Sequence, residues 1–181
     1  MGLSSLLTWF YCLDYNEILC LVMFGSLLYV KILPRYIPHH VRKGFSICLL
    51  ICWIAVILVS TLYTREASVH SPSVVPLHSY FEAVKTGNKE IYRSNLMNVI
   101  LFFPIGLLQE CCFSSRKSAV ITAAVLALVL SVGIECSQYW LHLGRPEADD
   151  VLHNVLGALL GAAAPFLADR IWVRTDKKGS Q

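Results

Sequence analysis

Long apolar runs broken by short polar clusters set the pattern of this chain. Residues 17–33 form the first run, ended by Pro34 and Pro38. Residues 44–63 form the second, 20 positions without a charge and the clearest hydropathy signal in the sequence. A third run covers 94–109, with Pro104 and Gly106 inside it; a fourth covers 118–142 and a fifth 151–173. Each is close to the roughly 20 residues that a helix needs to cross a bilayer. The pattern predicts an all-α protein, a polytopic membrane helix bundle of about five transmembrane helices in one domain over 1–181. Residues 3–13 are also apolar but stop at Asp14 and Asn16, which suits an interfacial helix. Residues 64–93 read as the longest loop, punctuated by Pro72, Pro76 and Gly87. Its middle, Pro76 to Phe81, mixes aromatic and polar residues as a segment dipping into the interface would. Pro104 should free a backbone carbonyl that a neighbouring helix must satisfy.

Composition supports the same class. Of 181 residues, 56% are hydrophobic and 15% charged, against about 25% charged in a soluble domain. The net charge of +3 is spread over short loops, not gathered on one soluble face, so nucleic acid is not an expected partner. Seven cysteines, most within apolar runs, do not make a disulfide framework. The N-terminus lacks the basic start of a cleaved signal peptide, the first positive residue being Lys31, so the first run is expected to be retained.

Lys and Arg near the span ends predict orientation. Lys31, Arg35, Arg42, Lys43, Arg116, Lys117, Arg170, Arg174, Lys177 and Lys178 make ten on one side; Arg65, Lys85, Lys89, Arg93 and Arg145 make five on the other. The richer side should be cytoplasmic, which places the N-terminus and the long loop outside and the C-terminus inside.

Polar residues then fall at helical spacing on three spans. Asn95 and Asn98 share a face of the third with Phe102 and Gly106. Ser131, Glu135, Gln138 and His142 share a face of the fourth. Asp150, Asn154, Gly157 and Gly161 share a face of the fifth, with Asp149 and His153 beside it. With the predicted orientation the three polar stripes meet near the outer surface, level with Arg65 and Arg145. An acid inside a span costs about 2.5–3.5 kcal/mol on insertion scales. Glu135 should therefore face the bundle interior, with Arg65 or Arg145 as its partner through a bidentate fork. The candidate ligand-binding set is Arg65, Asn95, Asn98, Glu135, Gln138, Arg145, Asp149, Asp150 and Asn154. Parts of it have plainer readings. Asn and Gln often only glue membrane helices together, and Asp149 and Asp150 suit a helix N-terminus. Gly157 and Gly161 make a GxxxG face, expected to serve packing and a candidate for homo-oligomer contacts. Glu135, His142, Asp149, Asp150 and His153 are metal-ligating types. Only Asp149 and His153 keep an i, i+4 spacing, however, and acid–arginine pairing accounts for the same residues. Neither a metal nor another cofactor is expected.

In this order the residues resemble the VanZ-like family of bacterial membrane proteins. The resemblance rests on Tyr63-Thr64-Arg65, Val75-Pro76-Leu77, Asn98 with Pro104-Ile105-Gly106, and Ser131 followed by Glu135 and Gln138. It continues with Arg145, then Asp149-Asp150-Val151, Asn154, Gly157 and Gly161, and covers roughly 60–165. One departure is the loop, Ser73-Val-Val-Pro-Leu77, where the family pattern is closer to Asn-Leu-Val-Pro-Phe. The resemblance implies a bacterial cytoplasmic (plasma) membrane protein of the cell envelope, tied to susceptibility to the glycopeptide teicoplanin. It brings no established reaction.

Three functions compete at this point. The first is a non-enzymatic protein that binds a lipid-linked or anionic envelope ligand, such as a lipid-linked cell-wall precursor, among membrane lipids. The second is an intramembrane enzyme with Glu135 as general base and His78 or His142 as proton shuttle. The third is a small transporter or flippase subunit, against which the lack of an internal repeat weighs.

Overall fold

The computed structural model describes residues 38–63, 72–113 and 115–178, with Gly25 alone before them, and side chains as far as Leu167. The first apolar run, the 3–13 segment and Arg65 lie outside the described residues. Among those described there are five helices. α1 is His39–Leu58, continued by a π-helical turn, Val59–Tyr63. α2 is His78–Thr86, α3 Lys89–Cys112, α4 Arg116–Leu141 and α5 Ala148–Lys178. All but α2 are long and apolar enough to cross a membrane, over His40–Tyr63, Lys89–Cys112, Arg116–Leu141 and Ala148–Leu167.

The four spans fall where the second to fifth apolar runs predict them, and the first three are longer than those runs. α3 runs on into its polar flank because its N-terminus is capped, not because the apolar run continues. Asn88 caps α3 by accepting the Glu90 amide at 3.0 Å. α4 ends at His142, whose φ of 55° is left-handed. The long loop is corrected most. Its second half is helical, α2 followed by the first turn of α3. Gly87, at φ 69°, closes α2 by donating its amide to Ala83 at 2.9 Å and lets the chain reverse in two residues.

α3 is the axis of the bundle, packed by α5, α1 and α4. α3 and α5 run in the same direction and nearly touch backbone to backbone. A Cβ on Gly106 would meet the Ala158 carbonyl oxygen at 1.8 Å. One on Gly157 would meet that of Val99 at 2.2 Å, and one on Gly161 that of Phe103 at 1.9 Å. The small-residue face of α5 is thus occupied by α3 within the chain, as close helix approach in a membrane requires.

α1 packs on the other side of α3, where Trp53 donates its indole N–H to the Leu101 carbonyl at 2.9 Å. That carbonyl belongs to the turn before Pro104, although the acceptor that Pro104 itself leaves without an amide is that of Ile100. Phe102, Ile105, Ile57 and Ala158 are fully buried around this contact. The outward faces of α1 and α4 present Ile51, Val56, Val125, Leu128 and Val129, the apolar exterior that a lipid-facing bundle carries.

Candidate functional site

The polar residues predicted on three helices meet at one end of the bundle. Asn95 and Asn98 lie on the first three turns of α3, Glu135 and Gln138 on the last two turns of α4, and Asp149, Asp150 and Asn154 on the first two turns of α5. Asn95, Gln138, Asp149, Asp150 and Asn154 are all buried, and Ser131 has no exposed surface at all.

The centre of the arrangement is Asp149. Its Oδ2 accepts the Ser79 amide at 2.8 Å, and its Oδ1 accepts the Leu77 amide. These are backbone donors at the start of α2, which has no side-chain cap of its own. Asp149 therefore caps a helix other than the one it belongs to. Asp149 and Asp150 do lie in the first turn of α5, as the sequence suggests, but the Asp149 carboxylate caps α2 and not α5. Leu77 sits at φ 64°, a left-handed conformation rare for leucine, and this bend aims both amides at one carboxylate. The preceding residues are tied down too. Ser73 donates its amide to the Pro146 carbonyl and accepts the Ala148 amide, both at 2.9 Å.

A second layer follows from Asn95, which donates to the Ser79 hydroxyl at 3.0 Å. One turn on, Asn98 donates to Asp150 at 2.7 Å. Asn154 donates to the Ser131 hydroxyl at 2.7 Å, joining α5 to α4. Gln138 donates to the Thr61 carbonyl at 3.1 Å, joining α4 to the π-helical turn of α1. That turn leaves backbone carbonyls off the regular ladder, as such turns do. The Oε1 of Gln138 and the Oδ1 of Asn154 are buried and have no hydrogen-bond donor among the described residues.

Of the two partners expected for Glu135, Arg65 lies outside the described residues and Arg145 pairs with Glu82 and Glu147. Glu135 accepts the backbone amide of Glu147 at 2.9 Å. Arg145 places Nη1 3.3 Å from Glu82 and Nε 3.8 Å from Glu147, and stays one-third exposed. Glu82 is also 3.5 Å from His78. Glu82 escaped the sequence reading because it lies in what reads as loop; its i, i+4 relation to His78 was the available signal. Ser79 and Tyr80 were missed for the same reason. Tyr80 shares a 2.8 Å hydrogen bond between its hydroxyl and His153 Nε2, with rings 5.6 Å apart. His142, the last member of the α4 stripe, ends the helix and stays exposed. Burial, and next the nearby Asp150 carboxylate, push the Glu147 carboxyl above the usual range, with Arg145 opposing.

Four apolar spans that share one buried polar end define a multi-pass membrane protein. Residues 45–169 match the VanZ/LLP1 family, and the chain belongs to it. Over 76 residues the chain is 34% identical to Protein VanZ of Enterococcus faecium, a match covering 42% of this chain and 44% of that protein. The chain thus aligns with less than half the length of that relative. No solved structure matches significantly.

Proposed function

We propose that the protein acts in the bacterial cell envelope by binding a lipid-linked or anionic ligand, such as a lipid-linked cell-wall precursor, at the polar end of the bundle. In this reading that end faces outward and the C-terminus is cytoplasmic, as the Lys and Arg bias suggests. The observation that carries it is a pair of buried acceptors, Gln138 Oε1 and Asn154 Oδ1, with no donor among the described residues. A buried amide oxygen left without a donor costs about 1–3 kcal/mol, which a ligand hydroxyl or amide would recover. The one-third-exposed Arg145 guanidinium offers an anionic group a charged contact at the same end. Membership of the VanZ/LLP1 family supports a link to glycopeptide susceptibility, so teicoplanin is the drug to test.

The experiment is native mass spectrometry of the purified protein with undecaprenyl-linked cell-wall precursors, beside teicoplanin susceptibility of cells that express it. Gln138→Leu and Arg145→Ala should each weaken precursor binding at least several-fold and remove any change in susceptibility, while the protein still inserts. Binding equal to that of bulk phosphatidylglycerol, unaltered in both variants, would overturn the reading.

A further inference from the structure

α2 is the least expected element of the fold, and its depth can be read from its contacts. α3 and α4 contain 24 and 26 residues. At 1.5 Å per residue they extend about 36 and 39 Å, longer than the roughly 30 Å hydrocarbon core, so their tips stand in the headgroups. Exposed aromatic residues mark the level at this end: Tyr92 on α3, and Tyr139 and Trp140 on α4. α2 starts below that level. Ser79 is bonded to Asn95, three residues past Tyr92, which is about 4.5 Å further along the axis. From there α2 climbs beside the first turns of α3. Tyr80 lies against Tyr92 at 6.1 Å, and the chain turns back at Gly87 and Asn88.

The two faces of α2 differ. Ser79 and Ala83 are buried against the bundle. Leu77, Phe81 and Val84 point outward and are 53%, 72% and 77% exposed, as are Val74 and Val75 just before them. Lys85 and Lys89, also exposed, follow at the top of the hairpin. Apolar residues thus lie low and cations high. This is the order of a segment entering lipid.

We infer that α2 is a membrane-immersed half-helix, the ascending arm of a re-entrant segment, whose Leu77, Phe81 and Val84 face lipid acyl chains. The backbone chemistry fits. Non-helical chain at bilayer depth is tolerated only where protein satisfies its polar groups. Here Asp149 takes the Leu77 and Ser79 amides, and Ser73 exchanges bonds with Pro146 and Ala148. In water these groups would need no such partners. The inference does not depend on any ligand at the polar end.

Spin-label accessibility in proteoliposomes tests it, on a chain whose own cysteines are replaced and with single cysteines introduced at 81, 84 and 89. Phe81→Cys and Val84→Cys labels should collide with oxygen several-fold more, relative to a water-soluble nickel chelate, than the Lys89→Cys label. A Val129→Cys label on α4 serves as the lipid-facing reference and shows that the bundle is folded. With that reference intact, chelate access at 81 and 84 equal to that at 89 would overturn the inference. Should either α2 variant misfold, a Leu77→Cys label gives the same reading: oxygen-dominated supports lipid contact, chelate-dominated refutes it.

Discussion

The Asp149 carboxylate and the Ser79 amide, 70 residues apart, lie 2.8 Å from each other. Through this bond and its companion to Leu77, the first turn of α5 fixes the start of α2. Asp149→Ala removes the acceptor for both amides, which at about 1–3 kcal/mol per orphaned donor gives an expected loss of roughly 2–6 kcal/mol. Asp149→Asn keeps one oxygen and should lose less. Hydrogen exchange would read the effect locally: amides of 77–86 should exchange much faster in the alanine variant, with α3 and α4 little changed. Equal protection in all three proteins would contradict the capping role.

The α3–α5 contact predicts a sharp contrast among glycines. At Gly106, Gly157 and Gly161 an added Cβ would fall on a facing backbone carbonyl, which no rotamer change can relieve. Gly161→Ala should destabilise by about 1–3 kcal/mol or more, as overpacking does. At Gly133 on α4 a Cβ meets nothing within 4 Å. Gly133→Ala should be neutral or slightly stabilising. Apparent melting temperature in detergent separates the two, and equal behaviour of both alanines would mean that the helices do not approach so closely.

These contrasts follow what the sequence made legible. Four spans are visible in hydropathy, because burial of 20 apolar residues is a local signal. The convergence of Asn98, Gln138, Asp150 and Asn154 is visible in helical periodicity, since each stripe must avoid lipid. Periodicity names a face but not the neighbour on it. Hence Arg145 is found beside Glu82, and Asn154 beside Ser131. α2 was hidden more deeply. Its first residues rest on a left-handed leucine, and its cap is supplied by a residue 70 positions away. Neither leaves a trace in a short window, and nine residues are too few for a periodic signal.

The Ser131–Asn154 bond joins α4 to α5 in a buried layer. Interhelical hydrogen bonds of this kind average about 0.6 kcal/mol, with a maximum of about 1.7. A double-mutant cycle with Ser131→Ala and Asn154→Ala should give a coupling in that range. A larger role for Asn154 Oδ1 in holding a ligand would appear differently. Asn154→Ala should then weaken precursor binding by more than Ser131→Ala does, although the two share one bond. Equal effects on binding would assign Asn154 to helix gluing alone.

Glu147 gives the fold a pH dependence whose sign is fixed by its surroundings. Burial and, after it, the Asp150 charge raise its folded-state pKa above the ordinary 4.5, and Arg145 offsets only part of this. Below 4.5 both folded and unfolded chains hold the proton, so the residue contributes nothing. As pH rises from there to the folded-state value, the folded protein holds more protons than the unfolded one. Stability therefore falls through that window and stays at the lower level above it. Glu147→Gln keeps the backbone amide that Glu135 accepts and removes only the ionisation. Its apparent melting temperature should exceed that of the parent near neutral pH, and the two should converge toward pH 4. An offset that is constant across that range would show that the glutamine acts through packing, and a parent that is more stable at neutral pH would show that the Arg145 contact outweighs burial.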